Sequence, residues 1–213
     1  MKRFLLFSIV AWYITASCFC QIDWKNFMSQ QDMIWTRLPQ TWYEAPFMGN
    51  GSMGTYICKE PGKNAIRVDV GNSMVHDHRT NDRGVYGRCR LLIGYFLLHP
   101  AGEIKSGDMR LDLWNAETTG CIRTTLGEIK LKAYVTSESP YIVVEAEATE
   151  GEKDFTWKFY PENTDSPRQL NAIQRNNKKH LKKGYVSNPA SQLSVRNGVN
   201  YCWQPLLAGG GTA

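Results

Sequence analysis

The chain has 213 residues, room for one large or two small domains, and at 42% hydrophobic it carries enough apolar material to fold without needing disulfides. Its 25 Lys and Arg face 20 Asp and Glu. Setting aside Lys2 and Arg3, which belong to a leader, leaves 23 basic against 20 acidic residues and a formal charge of +3, too mild to indicate a nucleic-acid partner.

Residues 1–20 have the layout of a secretory signal peptide: a basic start at Lys2 and Arg3, an apolar run from Phe4 to Ile14, then small residues. The run is too short to span a bilayer, so no transmembrane span is expected once it is removed. Two cleavage points compete. Cleavage after Cys20 exposes Gln21; cleavage before Cys18 puts a lipid on that cysteine. The first is preferred, because Thr15 stands where a lipoprotein signal usually has an aliphatic residue.

The stretch "IDWKNFMSQQDMIW" predicts a short helix with Asp23 near its start, since Trp24, Phe27, Met28 and Ile34 recur at near-helical spacing. Next comes "WYEAPFMGNGSMGTYICKEPGK", residues 42–63, in which Gly49, Gly51 and Gly54 match the G-x-G-x-x-G dinucleotide pattern. The flanks reject it. Pro46 argues against a buried strand leading in, and Thr55, Tyr56, Ile57 and Cys58 followed by Pro61-Gly62 cannot make the helix that should lead out. The segment reads instead as a glycine turn, a strand at 52–59, a Glu-Pro-Gly-Lys turn and a strand from Ala65 to Val70.

That second strand, "AIRVDV", alternates Ile66, Val68 and Val70 with Arg67 and Asp69, the pattern of a half-buried antiparallel strand. Beyond it lies the densest polar cluster, His76-Asp77-His78-Arg79. On an extended strand His76 and His78 share a face, as a two-histidine metal site needs, but no third ligand lies nearby, so no metal is expected. A sugar-binding or interdomain loop, or an ordinary surface loop, suits the cluster better. His99 before Pro100, and His180, read as structural or solvated.

Leu91 to Leu98 is apolar on both faces and predicts a strand in the middle of a sandwich or beneath a neighbouring domain. "MRLDLW", "TGCIRTTL", "EIKLKAYVT", "YIVVEAEAT" and "DFTWKFYP" follow, punctuated by Asn115, Gly127, Ser139-Pro140 and Gly151. Such a series is the signature of an antiparallel β-sandwich, with a tight hairpin at Leu126-Gly127-Glu128. Residues 161–184, including the basic run Arg175 to Lys183, read as a solvated loop, and strands return at "QLSV" and "NYCWQPLL". The chain closes on "LLAGGGTA", as though a further strand were to follow.

Four cysteines remain beyond the leader, Cys58, Cys89, Cys121 and Cys202. They allow three pairings and none is selected; free buried thiols are the alternative, and the lack of a C-x-x-C pair argues against structural zinc.

"WYEAPFMGNGSMGTYI" resembles the opening of the N-terminal β-sandwich (super-sandwich type) of glycoside hydrolases of family 95, where Trp-x-Glu-Ala precedes a Gly-Asn-Gly turn and a further glycine. The run from Met109 to Gly151 is similar too: a strand ending in Leu-Asp-Leu, a strand into a glycine, then Ser-x-x-Pro between strands. Where that family continues with Asn-Glu and Leu-Trp, this chain has "VGNSMVHDHR", so the family's fucose and galactose specificities are not implied. The chain resembles more closely an uncharacterised N-terminal family of secreted bacterial proteins, domain of unknown function 5703.

The resemblance implies an all-β sandwich over residues 21–213, periplasmic or extracellular, in front of a catalytic α/α barrel of the same polypeptide. Carbohydrate is the implied partner, no cofactor is implied, and the catalytic carboxylates belong to the barrel and not to this chain. Within the chain, Trp42 is a candidate for stacking on a sugar, with Glu44, Asn50, His76, Asp77, His78 and Arg79 as polar contacts. For Trp42 and Glu44 the plainer alternative is preferred: Trp42 packed in the core and Glu44 bound to backbone amides of the turn. A non-catalytic carbohydrate-binding or adhesion module at the cell surface, held through Cys18, is the rival.

Overall fold

The computed structural model describes residues 22–76, 90–162, 165, 187–207 and 211–212. Among these residues the one α-helix, α1 (Trp24–Ser29), is followed by strands β1 (Met33–Trp35), β2 (Phe47–Gly49), β3 (Met53–Lys59), β4 (Ile66–Asn72) and β5 (Gly94–His99). Then come β6 (Ile104–Asp112), β7 (Glu117–Thr124), β8 (Glu128–Val135), β9 (Ile142–Ala148) and β10 (Thr156–Pro161). The last three are β11 (Gln192–Arg196), β12 (Val199–Pro205) and β13 (Gly211–Thr212).

All pairings among the described strands are antiparallel. One five-stranded sheet has the order β1-β6-β7-β8-β9 and a second the order β10-β5-β4-β3-β2. Their inner faces bury one core, in which Met48, Ile57, Ile66, Val68 and Leu98 of the second sheet meet Met109, Leu111, Ile122, Ile129 and Leu131 of the first. The all-β antiparallel sandwich expected from the strand series is what the chain forms. Alternation explains it locally: in β4 Ile66 and Val68 enter the core while Arg67 and Asp69 point outward.

The helix is shorter than predicted. Asp23 caps it, its Oδ1 accepting the Asn26 amide at 3.0 Å, but it ends at Ser29, and Met33–Trp35 is an edge strand on β6. Tertiary contacts override the helical spacing here. The Asp32 carboxylate accepts the Leu113 amide at 3.0 Å and the Arg110 Nε at 2.8 Å, which holds the chain extended along β6 so that Trp35 reaches the core.

Leu97 and Leu98 are both fully buried on opposite faces of β5, as the doubly apolar run led us to expect. Pro46 sits just outside β2, and β2 is the edge of its sheet, where a missing N–H costs least. The Glu60–Lys63 turn forms with Gly62 at φ 71° and Lys63 N donating to Glu60 O at 3.2 Å. The hairpin β11–β12 turns on Asn197-Gly198, both at positive φ, a turn signal that the sequence carries plainly.

The predicted loop at 161–184 lies almost wholly outside the described residues, as do the basic run, His180 and Cys89. Cys58, Cys121 and Cys202 are free thiols. Among the described residues no helix is long and apolar enough to cross a membrane.

Candidate functional site

Trp42 is not in the core. It is 68% exposed, edge-on to Tyr43 at 5.7 Å between ring centroids, and Tyr43 and Phe47 are 73% and 65% exposed. Three aromatic side chains within six residues therefore face solvent, presented by the 3-10 turn Trp42–Glu44 and the start of β2.

Glu44 fixes that turn. Its carboxylate accepts from Arg37 at 3.2 Å (Nη1) and 2.7 Å (Nη2) and from the Gln40 amide, while its carbonyl accepts the Trp35 indole N–H at 2.6 Å. The carboxylate is thus a clasp, but not on the amides of the glycine turn as expected: it takes the Gln40 amide, upstream of that turn, and a guanidinium that the sequence did not point to. The Arg37 guanidinium, with the Gln40 amide second, holds the Glu44 carboxyl below its ordinary range. A depressed folded-state pKa stabilises the clasp above the ordinary carboxylate range, and the contribution is lost as pH falls through the folded value. Arg37→Ala should move the Glu44 midpoint back up in an NMR carboxyl titration; an unmoved midpoint counts against the pairing.

Asn50 is a cross-tie. Its Nδ2 donates to Thr136 O at 2.8 Å and Ser139 O at 3.3 Å, and its Oδ1 accepts the amides of Ser52 at 3.0 Å and Met53 at 2.8 Å. One side chain so joins the β2–β3 turn to the β8–β9 turn, and its polar atoms are committed there. In the glycine turn only Gly51 has positive φ, at 91°. Gly49 serves otherwise: a Cβ there would lie 2.9 Å from Met53 O.

His76 forms an isolated antiparallel bridge with Arg90. Asp77, His78 and Arg79 lie outside the described residues. Among the described residues no group of three His, Cys, Asp or Glu side chains could hold a metal.

The outer face of the second sheet carries a row that sequence reasoning did not assemble. Register sets Phe47 opposite Tyr56, Asp69 opposite Tyr95 and Tyr95 opposite Tyr160. Tyr95 and Tyr160 stack at 5.5 Å, and the Arg67 guanidinium lies 3.6 Å from the Tyr95 ring centroid. Arg67 pairs with Asp69 (Nε to Oδ2, 2.5 Å), Glu162 (3.2 Å) and Glu60 (3.5 Å). Burial, then the Asp69 carboxylate, pushes the Tyr56 phenol well above its usual range.

Cys58, opposite Arg67 on this face, has its thiol pushed up to about 12, chiefly by burial. Between the ordinary thiol range and that value only the unfolded chain releases the proton, so stability falls as pH rises there. Iodoacetamide at pH 8 should leave Cys58 unlabelled in the folded protein and label it in urea; equal rates in both would contradict the burial.

Beside the row runs a groove of about 390 Å³ lined by Phe47, Gly54, Tyr56, Asp69, Gly71 and Arg90 among others. The opposite sheet's outer face differs: it carries exposed ion pairs such as Arg123–Asp108 at 2.7 Å and Lys132–Glu117 at 2.9 Å. The alternation in "AIRVDV" did signal that Arg67 and Asp69 point outward. What it could not signal was their neighbours, because register is a property of paired strands.

No family model matches the chain, and no curated protein matches it either.

Proposed function

We propose that the chain is the exported, non-catalytic N-terminal β-sandwich of a bacterial glycoside hydrolase, supporting a catalytic α/α barrel of the same polypeptide that hydrolyses O-glycosidic bonds. One observation carries this. The Gly-Asn-Gly turn and the Ser137-x-x-Pro140 turn, two of the motifs on which the resemblance rests, are hydrogen-bond partners through Asn50. Trp-x-Glu-Ala is a clasp, and in Leu-Asp-Leu the Asp112 carboxylate caps its turn, accepting the amides of Trp114 at 3.0 Å and Asn115 at 2.9 Å. Residues that shape turns belong to a scaffold, and a scaffold role suits a domain whose conspicuous carboxylates are tied up in structural bonds.

The purified chain is expected to release no nitrophenol from aryl glycosides, and its genomic reading frame to run into an α/α-barrel domain. Hydrolysis by the chain itself, or a reading frame without such a domain, overturns the proposal.

A second reading, a carbohydrate-binding module held at the cell surface through Cys18, is favoured by the exposed Trp42, Tyr43 and Phe47. Loss of glycan binding on replacing Trp42 or Trp203 would support it.

A further inference from the structure

Gly49, Gly54 and Gly71 stand in register on three adjacent strands, each paired with the next, and strip the outer face of the second sheet to its backbone there. A glycine inside a strand costs about 0.5–1 kcal/mol relative to alanine, so each calls for a reason. Two have one within the fold. A Cβ on Gly49 would sit 2.9 Å from Met53 O, and one on Gly54 would sit 3.2 Å from the Phe47 ring.

Gly71 has none. A Cβ there would meet only Gly54 O, at 3.5 Å, an ordinary contact, and its φ is not in the positive region. Yet Gly71 lies in the groove of about 390 Å³, a size typical of small-ligand clefts. A strand glycine that none of the described residues requires is often a place where a ligand approaches the backbone.

The groove's walls indicate what that is. Phe47 rests against the bare backbone of Gly49 and Gly54 and is still 65% exposed, so it is a pinned aromatic platform with a free surface. Tyr56 stands opposite it, Asp69 is held by Arg67, and Arg90 is exposed at the margin. Aromatic surface suits the C–H face of a sugar ring, and a fixed carboxylate with a guanidinium suits its hydroxyls.

We infer that this groove is a subsite for a pyranose ring, packed on Phe47 and seated over the bare backbone at Gly71, with Asp69 and Arg90 as its polar contacts. The subsite rests on the carbohydrate reading of the chain. The scaffold role needs no ligand and stands or falls by its own test.

The test is titration calorimetry of the whole chain with cellohexaose, xylohexaose, mannohexaose and hexagalacturonate, the last separating an acidic sugar from the neutral ones. At least one is expected to bind. Gly71→Val should then unfold at or above the wild-type temperature, because valine favours strands, yet bind about tenfold more weakly or worse. Gly71→Ala and Phe47→Ala should weaken binding in the same direction. A Gly71→Val protein that binds like the wild type overturns the subsite while leaving sugar binding elsewhere intact. One that unfolds well below the wild type shows the glycine serves the fold, which also overturns it. A wild-type chain that binds none of the four overturns the subsite and leaves the scaffold role untouched.

Discussion

Replacing Glu152 with alanine is expected to lower the unfolding free energy by about 3–4 kcal/mol, or roughly 10 °C in Tm for a chain of this length. Glu152 is fully buried in the 3-10 turn Glu150–Glu152. Its carboxylate accepts the amides of Ala101 at 2.8 Å and Gly102 at 2.9 Å, together with the Thr124 hydroxyl. One side chain therefore binds the β5–β6 connection and the β7–β8 hairpin to the turn after β9. Bonds to a charged acceptor contribute about 1.5–3 kcal/mol, and alanine leaves two backbone donors with no replacement acceptor.

Glycines let this corner close. A Cβ on Gly102 would lie 2.7 Å from Glu152 Oε1, one on Gly127 2.1 Å from Thr149 Oγ1, and one on Gly151 2.2 Å from Leu126 O. Glu152→Gln keeps one acceptor oxygen but turns an N–H₂ toward donors, so it should lie between alanine and wild type in urea unfolding. An alanine variant within about 1 kcal/mol of wild type would show that water can replace the carboxylate, contrary to its burial.

Arg67→Met should cost about 3 kcal/mol, measured in the same way. The guanidinium is the shared cation of Asp69, Glu162 and Glu60, whose side chains are largely buried, and it stacks on Tyr95. Methionine can fill the space of the stem, but it leaves three carboxylates gathered, with Lys63, 3.6 Å from Glu60, as the cation paired with one of them among the described residues. Removing one partner of a buried ion pair typically costs about 3–5 kcal/mol, and the partial exposure of this group places the loss at the lower end. Adding Asp69→Asn removes one of the stranded charges and should restore part of the stability. If the double variant is instead as unstable as the sum of the single ones, charge is not the cause.

Much of the strand series was legible because alternation survives without knowledge of partners: β8 and β9 fall within the predicted segments and β4 overlaps its own closely, whereas β6 begins at Ile104, five residues before the segment predicted for it. The glycine fingerprint was rejected on its flanks, and residues 53–59 are indeed a strand. The helix over 22–35 failed at its C-terminal half, since nothing local reports that Asp32 will find Arg110 and the Leu113 amide 78 and 81 residues away. Trp42 was misplaced for a similar reason. A tryptophan in the short segment between Pro39 and Pro46 has no period to declare its face, and its exposure follows from how Glu44, Arg37 and Trp35 orient the 3-10 turn.

By itself, then, the sequence determined the antiparallel all-β class, the places of the turns and which residues of a strand such as β4 share a face. These are short-range properties, set by side-chain alternation and by where glycine, proline and asparagine interrupt it. Only the tertiary structure decided that Asn50 ties two distant turns, that Glu152 joins three connections, and that Phe47, Tyr56, Asp69, Tyr95 and Tyr160 form one row. Each of those depends on strand order and register, which arise when the two sheets bury a common core and bring residues far apart in sequence to hydrogen-bonding distance.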